Sequence, residues 1–405
     1  MAELTFRDLS FRLKKNDDLA VILYNRFSFT IAASLLKRIG AFEVSDHCIR
    51  FHNASEKQAS NKFSLLISQG MKDLRSAIGG KKAVYIHKNS GIPLIGSIYF
   101  GLVDRNTNII DVRPNTGCNL NCIYCSVDEG VSGRRGTDFV VEEEYLVEEF
   151  RKLVSFKGID GIEAHIGPQG EPMLYSRIFD LVRNLSSTEG VSEVSMDTNG
   201  TLLTRDAADS LIKAGMTRFN ISINSLEEEK ASLMSGGRYP VSRIVETARH
   251  IAKRCDLTLA PVWVPGMNDE DIEDIILLAK EITTSKTKHI LGIQNFLNYR
   301  KGRNPTKAMS MDEFRDKLRA LEKKHGAKLL LDKTDYNVRN TAKLPKPFIK
   351  GKIIKAQTAC QGRSENEMIV VAGGRCISVS GCAKGGAVRT RITRDKHNIF
   401  SGELV

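Results

Sequence analysis

Asn115-Thr116-Gly117-Cys118-Asn119-Leu120-Asn121-Cys122-Ile123-Tyr124-Cys125 sets three cysteines at C-x3-C-x2-C spacing, with a tyrosine just before the last. Three thiolates on so short a loop can converge on one inorganic centre. Soft sulfur ligands of this kind select iron–sulfur clusters, zinc or Cu(I). A cubane [4Fe–4S] cluster held by three cysteines has one iron without a protein ligand, where a substrate or cofactor can bind. Structural zinc sites have four ligands and are closed. No fourth Cys or His lies nearby to close this one. A zinc knuckle, or a set of reduced surface thiols, is the competing reading of the loop.

Outward from the loop, strand and helix patterns alternate six times between residue 109 and about residue 324. Strands are expected at 109–113, 161–166, 193–197, 218–223, 257–264 and 289–296. Helices are expected at 142–154, 176–185, 205–214, 241–254, 269–282 and 311–325, the last opened by the capping-box pair Ser310 and Glu313. Repeated βα units imply a parallel sheet with right-handed crossovers, open or barrelled. Six units fall short of the eight in a closed TIM barrel. Chemistry in such barrels sits at the C-terminal strand ends, and the cysteine loop directly follows the first strand.

The other strand ends carry polar groups. The second runs into Gly167-Pro168-Gln169-Gly170-Glu171-Pro172, where glycines admit close backbone approach and Glu171 can accept from an ammonium group. A plain β-to-α turn would use the same residues. The third ends in Asp197-Thr198-Asn199-Gly200 and the fourth in Ser222-Ile223-Asn224-Ser225. These suit ribose hydroxyls or a carboxylate, and equally a turn or a helix cap. The fifth ends in Val264-Pro265-Gly266-Met267-Asn268. The sixth ends in a mixed polar, aromatic and basic run, 294–303, suited to substrate contact or to plain solvation.

The cysteine spacing with Tyr124 resembles the signature of the radical S-adenosylmethionine (SAM) superfamily, here of an archaeal type with a TRAM- or OB-like tail. The resemblance covers residues of about 109 to 325. It implies a partial (βα)6 barrel, a [4Fe–4S] cluster on Cys118, Cys122 and Cys125, and SAM as second cofactor. Gly170-Glu171-Pro172 resembles the motif that binds the methionine amine, with Gln169 where a first glycine is usual. By the same resemblance Asn199, Ser222, Asn224 and Thr198 stand at the ribose-contacting strand ends. Tyr124 and the 264–268 segment then lie on the adenine side. No catalytic residue is assigned beyond the cluster ligands. The implied chemistry is reductive cleavage of SAM to a 5′-deoxyadenosyl radical that abstracts hydrogen from substrate, with ferredoxin or flavodoxin as the kind of electron donor required.

The chain has 405 residues, 41% hydrophobic and 27% charged, with a net charge of +12. That allows two or three domains. The expected divisions are an α+β region of unknown role at 1–100, the radical SAM core at 101–343 and a basic OB/TRAM-like β-barrel at 344–405. In the first region, helices are expected at 17–39 and 59–78, and short strands at 83–86, 93–95 and 98–103. The start has neither the basic run nor the apolar core of a signal peptide, and no apolar run is long enough to cross a membrane. A cytoplasmic protein is expected, its eight cysteines mostly reduced. Cys48 and Cys255, alone in sequence, read as buried small hydrophobes.

After the linker Leu344-Pro345-Lys346-Pro347 the pattern changes to short strands with glycine turns, which suits a small β-barrel. Residues 345–405 hold eleven Lys or Arg against four Asp or Glu, a balance of +7. The basic set is Arg363, Arg375, Lys384, Arg389, Arg391, Arg394 and Lys396. Small basic barrels track nucleic-acid backbone, although only Phe348 and Phe400 are present here to stack bases. Cys360, Cys376 and Cys382 are candidates for a second metal site, against the reading of buried strand cysteines.

RNA modification, most simply of tRNA, is therefore the expected function. A radical enzyme acting on a peptide or small metabolite, with a purely structural tail, is the alternative. A non-enzymatic Fe–S RNA-binding protein is the third. Only Cys48 precedes the main loop, unlike the methylthiotransferases that carry such tails. The Asp-x-His-x-x-Gly sequence of B12 domains is absent.

Overall fold

The fold turns on a parallel sheet whose strands follow one another in chain order. The computed structural model describes residues 1–131, 134–167, 169–381 and 385–405. Ile109–Arg113 pairs with Ile162–Ile166, that strand with Val191–Thr198, then Arg218–Ile221 and Asp256–Leu259, all parallel. The sixth strand joins through the Leu259–Leu291 bridge and the Val262–Trp263 pairing with Gln294–Asn295. Apolar side chains from the strands (Val112, Ile166, Met196, Ile221, Leu259) and from the outer helices (Phe150, Leu181, Leu211, Ile244, Ile275) are buried in one core. Gly101–Asp104 occupies the free edge of the first strand antiparallel, so the sixth strand cannot close on the first. The result is the partial (βα)6 barrel that the resemblance implied.

Helices Arg205–Ala214 and Met311–His325 have the bounds expected from sequence. Thr204 and Ser310 cap them by accepting from Ala207 N–H and Glu313 N–H, both at 3.1 Å. A helix that the apolar spacing does not reveal, Glu228–Ser235, follows the fourth strand. Its last turn meets the cysteine loop: Asn121 N–H donates to Ser235 C=O at 2.9 Å and Ile123 N–H to Met234 C=O at 3.0 Å.

The N-terminal region departs from expectation. The helix expected at 17–39 is a hairpin, Leu19–Leu23 and Phe27–Ile31, followed by the short helix Ala33–Lys37. Leu19, Val21, Leu23, Phe27, Phe29 and Ile31 are buried at every second position, the period of a strand. Tyr24 and Asn25, both with φ of 53°, make the tight turn. The second helix runs Glu56–Gly70, capped by Ser55, and stops before 71–78 because Arg75–Ser76 is a strand. Residues 93–95 form only a bridge at Ile95, and the next strand begins at Gly101 rather than residue 98. Strands Leu9–Leu13, Leu19–Leu23, Phe27–Ile31, Arg75–Ser76, Lys82–Ile86 and Thr137–Val141 make one sheet. Thr137–Val141 lies beyond the cysteine loop in sequence. The loop is therefore strung between the barrel's first strand and an edge strand of the N-terminal sheet.

Ile353–Gln361, Glu367–Ala372, Arg375–Ser380, Ser401–Leu404 and Ala387–Arg394 close into the small C-terminal barrel. Phe348 and Phe400 pack together in its core, rings 5.7 Å apart, so neither is presented to a base. The barrel docks through backbone pairing, Cys376 N–H to Ile95 C=O and Phe400 N–H to Gly96 C=O, both at 2.9 Å. Cys255 is buried and Cys48 only half so. No helix among the described residues is long and apolar enough to cross a membrane.

Candidate active site

The three cysteines stand at one end of a cavity of about 570 Å³ at the C-terminal mouth of the barrel. Tyr124, Gly170, Glu171, Asn199, Ser222 and Asn224 line the same cavity. Pro172 lies beneath, buried, as the first residue of the single helical turn Pro172–Leu174. Pro168 lies outside the described residues.

Backbone donors already point at sulfur: Leu120 N–H lies 3.5 Å from Cys118 Sγ, and Glu129 N–H 3.3 Å from Cys125 Sγ. Asn199 Nδ2 approaches Cys118 Sγ at 3.7 Å. Burial, with the charge of Glu171 next, pushes the Cys118 thiol well up. Burial and neighbouring Cys125 push Cys122 up to about 11, and burial raises Cys125. Thiols so placed are held as thiolates only by a soft cation, and binding one releases protons. Three unbridged, half-buried sulfurs with amide donors fit an iron–sulfur cluster.

Glu171 is 1% exposed, and its carboxylate ties the second strand end to the third. It accepts from Met173 N–H at 3.0 Å, Thr198 Oγ1–H at 2.8 Å and Asn199 N–H at 2.8 Å. A carboxylate has about four acceptor positions, so one is left for a donor in the cavity. Burial raises its pKa, and those three hydrogen bonds oppose the rise. Gly170, at φ of 75°, abuts the cysteine loop: a Cβ there would lie 2.0 Å from Gly117 O. Glu171 N–H donates to that same oxygen at 3.0 Å. Gln169 is buried, its Oε1 without a partner among the described residues.

Asn224 is occupied at both ends of its amide. Oδ1 accepts from Val262 N–H at 2.7 Å, and Nδ2 donates to the Tyr124 hydroxyl. Ser222 is fixed by Tyr239, whose hydroxyl donates to the Ser222 carbonyl. Tyr124 packs with Met267 and Val262 against Met234, Val264 and Phe296, an apolar wall built from the fifth and sixth strand ends and the Glu228–Ser235 helix. Asn268, fully buried, shapes the 264–268 turn by donating to Asn224 C=O and Val262 C=O.

Sequence reading passed over several residues of this site. Tyr239 and the 228–235 helix meet the loop only in space. Arg303, in the run read as substrate contact or solvated loop, instead clamps the cysteine loop. It donates to Asp128 Oδ1 at 2.7 Å, Cys122 C=O at 3.0 Å and Glu129 C=O at 2.8 Å. Asp197, at the third strand end, lines this cavity and a second of about 360 Å³ beside it.

A family model described as the radical SAM superfamily matches residues 112–279. An uncharacterised protein of Methanocaldococcus jannaschii is 40% identical over 385 residues, 87% of this chain and 88% of its own length. The chain belongs to the radical SAM superfamily. It is an enzyme of that class, and membership implies a [4Fe–4S] cluster and SAM. The GTP 3′,8-cyclase of Peptoclostridium acidaminophilum is 36% identical over 177 residues, 43% of this chain and 52% of that protein. The chain thus spans about half the length of that relative. Among solved structures, TYW1 with a lysine–pyruvate adduct matches at 18% identity and a TM-score of 0.41, over 58% of this chain and 79% of that one.

In the tail, Arg363 leaves the expected basic set: it is wholly buried in ion pairs with Glu129 and Asp138. Arg375, half-buried, donates to the carbonyls of Gly374 and Pro345. Arg391 pairs with Glu403 at 3.5 Å. Lys355 and Arg389 stand directly opposite each other on the barrel's outer face, exposed and with no partner among the described residues. Arg394 and Lys396 also lack an acidic partner there. Lys384 and Cys382 lie outside the described residues.

Proposed function

We propose that this radical SAM enzyme modifies RNA, most simply tRNA, with the C-terminal barrel's outer face on the RNA backbone. The observation that carries the reading is Lys355 facing Arg389 across two paired strands. Like charges directly opposed on a sheet are unfavourable, and an anion between them relieves the repulsion.

At the cavity, Cys118, Cys122 and Cys125 would hold the cluster, and the remaining acceptor position of Glu171 would take the methionine amine of SAM. When bound, the reduced cluster supplies the electron that cleaves SAM and begins radical chemistry. Gly170 gives backbone access at the seam, and Pro172 fixes the turn that aims Glu171. Tyr124 and the apolar wall beside it offer a face for adenine. Asn199 and Ser222 would border the ribose, while Asn224 holds Tyr124 in place. The electron comes from an external donor of the ferredoxin or flavodoxin kind. Of the three cysteines suggested for a second metal, Cys382 lies outside the described residues, and the Cys376 thiol donates to Pro93 C=O at 3.0 Å instead.

A second reading, a small nucleotide as substrate, is favoured by relatives whose name is GTP 3′,8-cyclase. Titrating tRNA onto the full chain at several salt concentrations separates the two. Wild type is expected to bind with a steep salt dependence. Lys355→Glu with Arg389→Glu is expected to weaken binding at least tenfold and flatten the log–log slope by about two, one per phosphate contact. No tRNA binding by wild type, together with an unchanged tRNA nucleoside profile in a deletion strain, would sink the RNA reading.

A further inference from the structure

Arg363 belongs to the C-terminal barrel by sequence and to the cysteine loop by contact. It lies in the turn between Ile353–Gln361 and Glu367–Ala372, and its side chain is 0% exposed. One guanidinium nitrogen pairs with Glu129, and the other with Asp138 at 3.0 Å while also donating to Thr137 C=O. Both carboxylates are themselves buried, each 2% exposed, so each depends on a protein cation.

Glu129 lies in the far arm of the cysteine loop, and Asp138 in strand Thr137–Val141, where that arm ends. The backbone N–H of Glu129 donates to Cys125 Sγ, and its carbonyl takes Arg303. Asp138 reaches the near arm, 3.4 Å from Thr116 Oγ1, two residues before Cys118. There it also meets Arg26 of the N-terminal hairpin at 3.7 Å, and Arg26 donates to Thr116 C=O at 2.9 Å. A second tie lies alongside. Glu367 of the barrel accepts from Tyr99 Oη–H at 3.0 Å, Lys301 Nζ at 2.9 Å and Arg363 N–H at 3.0 Å. Arg135, within the far arm, donates to Lys301 C=O and to Ser364 Oγ.

We infer that Arg363 is a positioning residue of the cysteine loop, and that the C-terminal barrel is thereby a structural part of the metal site. Its planar fork spans two carboxylates that begin and end the loop's outer arm, a task a point charge cannot share. The inference is independent of RNA binding. Cutting away the barrel would also take the Arg363 partner from Glu129 and leave Asp138 with Arg26 alone, so truncation would confound loss of RNA contact with loss of the cluster.

The test uses the full chain as anaerobic apoprotein, with Arg363→Met and Arg363→Lys. Iodoacetamide alkylation is followed by peptide mass spectrometry at Cys118, Cys122 and Cys125, with buried Cys255 as internal reference. Iron and sulfide are then counted after reconstitution. Arg363→Met is expected to speed alkylation of the three loop thiols about tenfold while Cys255 is unchanged, and to retain less than half the iron. Arg363→Lys keeps the charge and loses the fork, and is expected to fall between. If Arg363→Met fails to fold, the lysine variant decides. A folded variant whose loop thiols and iron content stay within twofold of wild type overturns the inference, as does parallel acceleration at Cys255.

Discussion

Gly170→Ala is expected to destabilise the protein by about 2–5 kcal/mol and to abolish cluster assembly. Two penalties add. Gly170 holds φ of 75°, a left-handed conformation that costs an L residue about 1–2 kcal/mol. The new Cβ would also lie 2.0 Å from Gly117 O and 2.8 Å from Gly117 C, both backbone atoms that no side-chain rotation can clear. Overpacking of this kind costs about 1–3 kcal/mol. Relief requires the seam between the second strand end and the cysteine loop to open, breaking the Glu171 N–H to Gly117 C=O bond. Cys118 would then leave its place beside Glu171. Gly326→Ala is the control: its φ of 59° is similarly left-handed, but a Cβ there meets nothing within 4 Å. It is expected to cost only the conformational part. Urea midpoints and visible absorbance after reconstitution check both, and equal costs at the two glycines would refute the steric argument.

A second large effect is expected with pH. His165 sits inside the barrel, Nε2 3.1 Å from Asp197 Oδ2 and Nδ1 2.8 Å from Ser195 Oγ. Ser195 Oγ–H donates in turn to Glu163, which pairs with Arg218. Burial alone would lower the imidazole pKa. The charge and hydrogen bond of Asp197, then the charge of Glu163, outweigh it and raise His165 to about 9. The folded value thus lies above the ordinary 6.5 of the unfolded chain. Its stabilising contribution is fully present below about pH 6.5 and is lost as pH rises through about 9. The linkage amounts to up to about 3 kcal/mol across that window. Urea unfolding of wild type and His165→Gln from pH 6 to 10 reads it as the difference between two slopes. Parallel slopes would show that Asp197 does not hold a charged imidazole.

The residues singled out from sequence share the cavity beside this pair. C-x3-C-x2-C, Gly170-Glu171, Asn199, Ser222 and Asn224 lie up to about a hundred residues apart and line one cavity. They could be read because each sits at a strand end, and in consecutive βα units strand ends converge. Helices 205–214 and 311–325 were legible for a local reason: cap residues and a 3.6-residue period reside in the segment itself. The hairpin at 19–31 was not, since its dense apolar run also satisfies a helical spacing and only pairing partners select period two. Helix Glu228–Ser235 shows little apolar asymmetry and is held by its contact with Asn121 and Ile123.

Arg363 shows the limit most plainly. In sequence it is one more cation in a tail of net charge +7 and reads as nucleic-acid contact. In space it lies between a carboxylate of the cysteine loop, Glu129, and one of the strand that follows the loop, Asp138, and its charge never reaches solvent. By itself, the sequence determined the three-cysteine spacing, the order of the barrel strands and the polar groups at their ends, because spacing and period are local properties of a chain. Only the tertiary structure decided which cations face outward and which hold the loop, because charge pairing depends on distance between segments that composition does not encode.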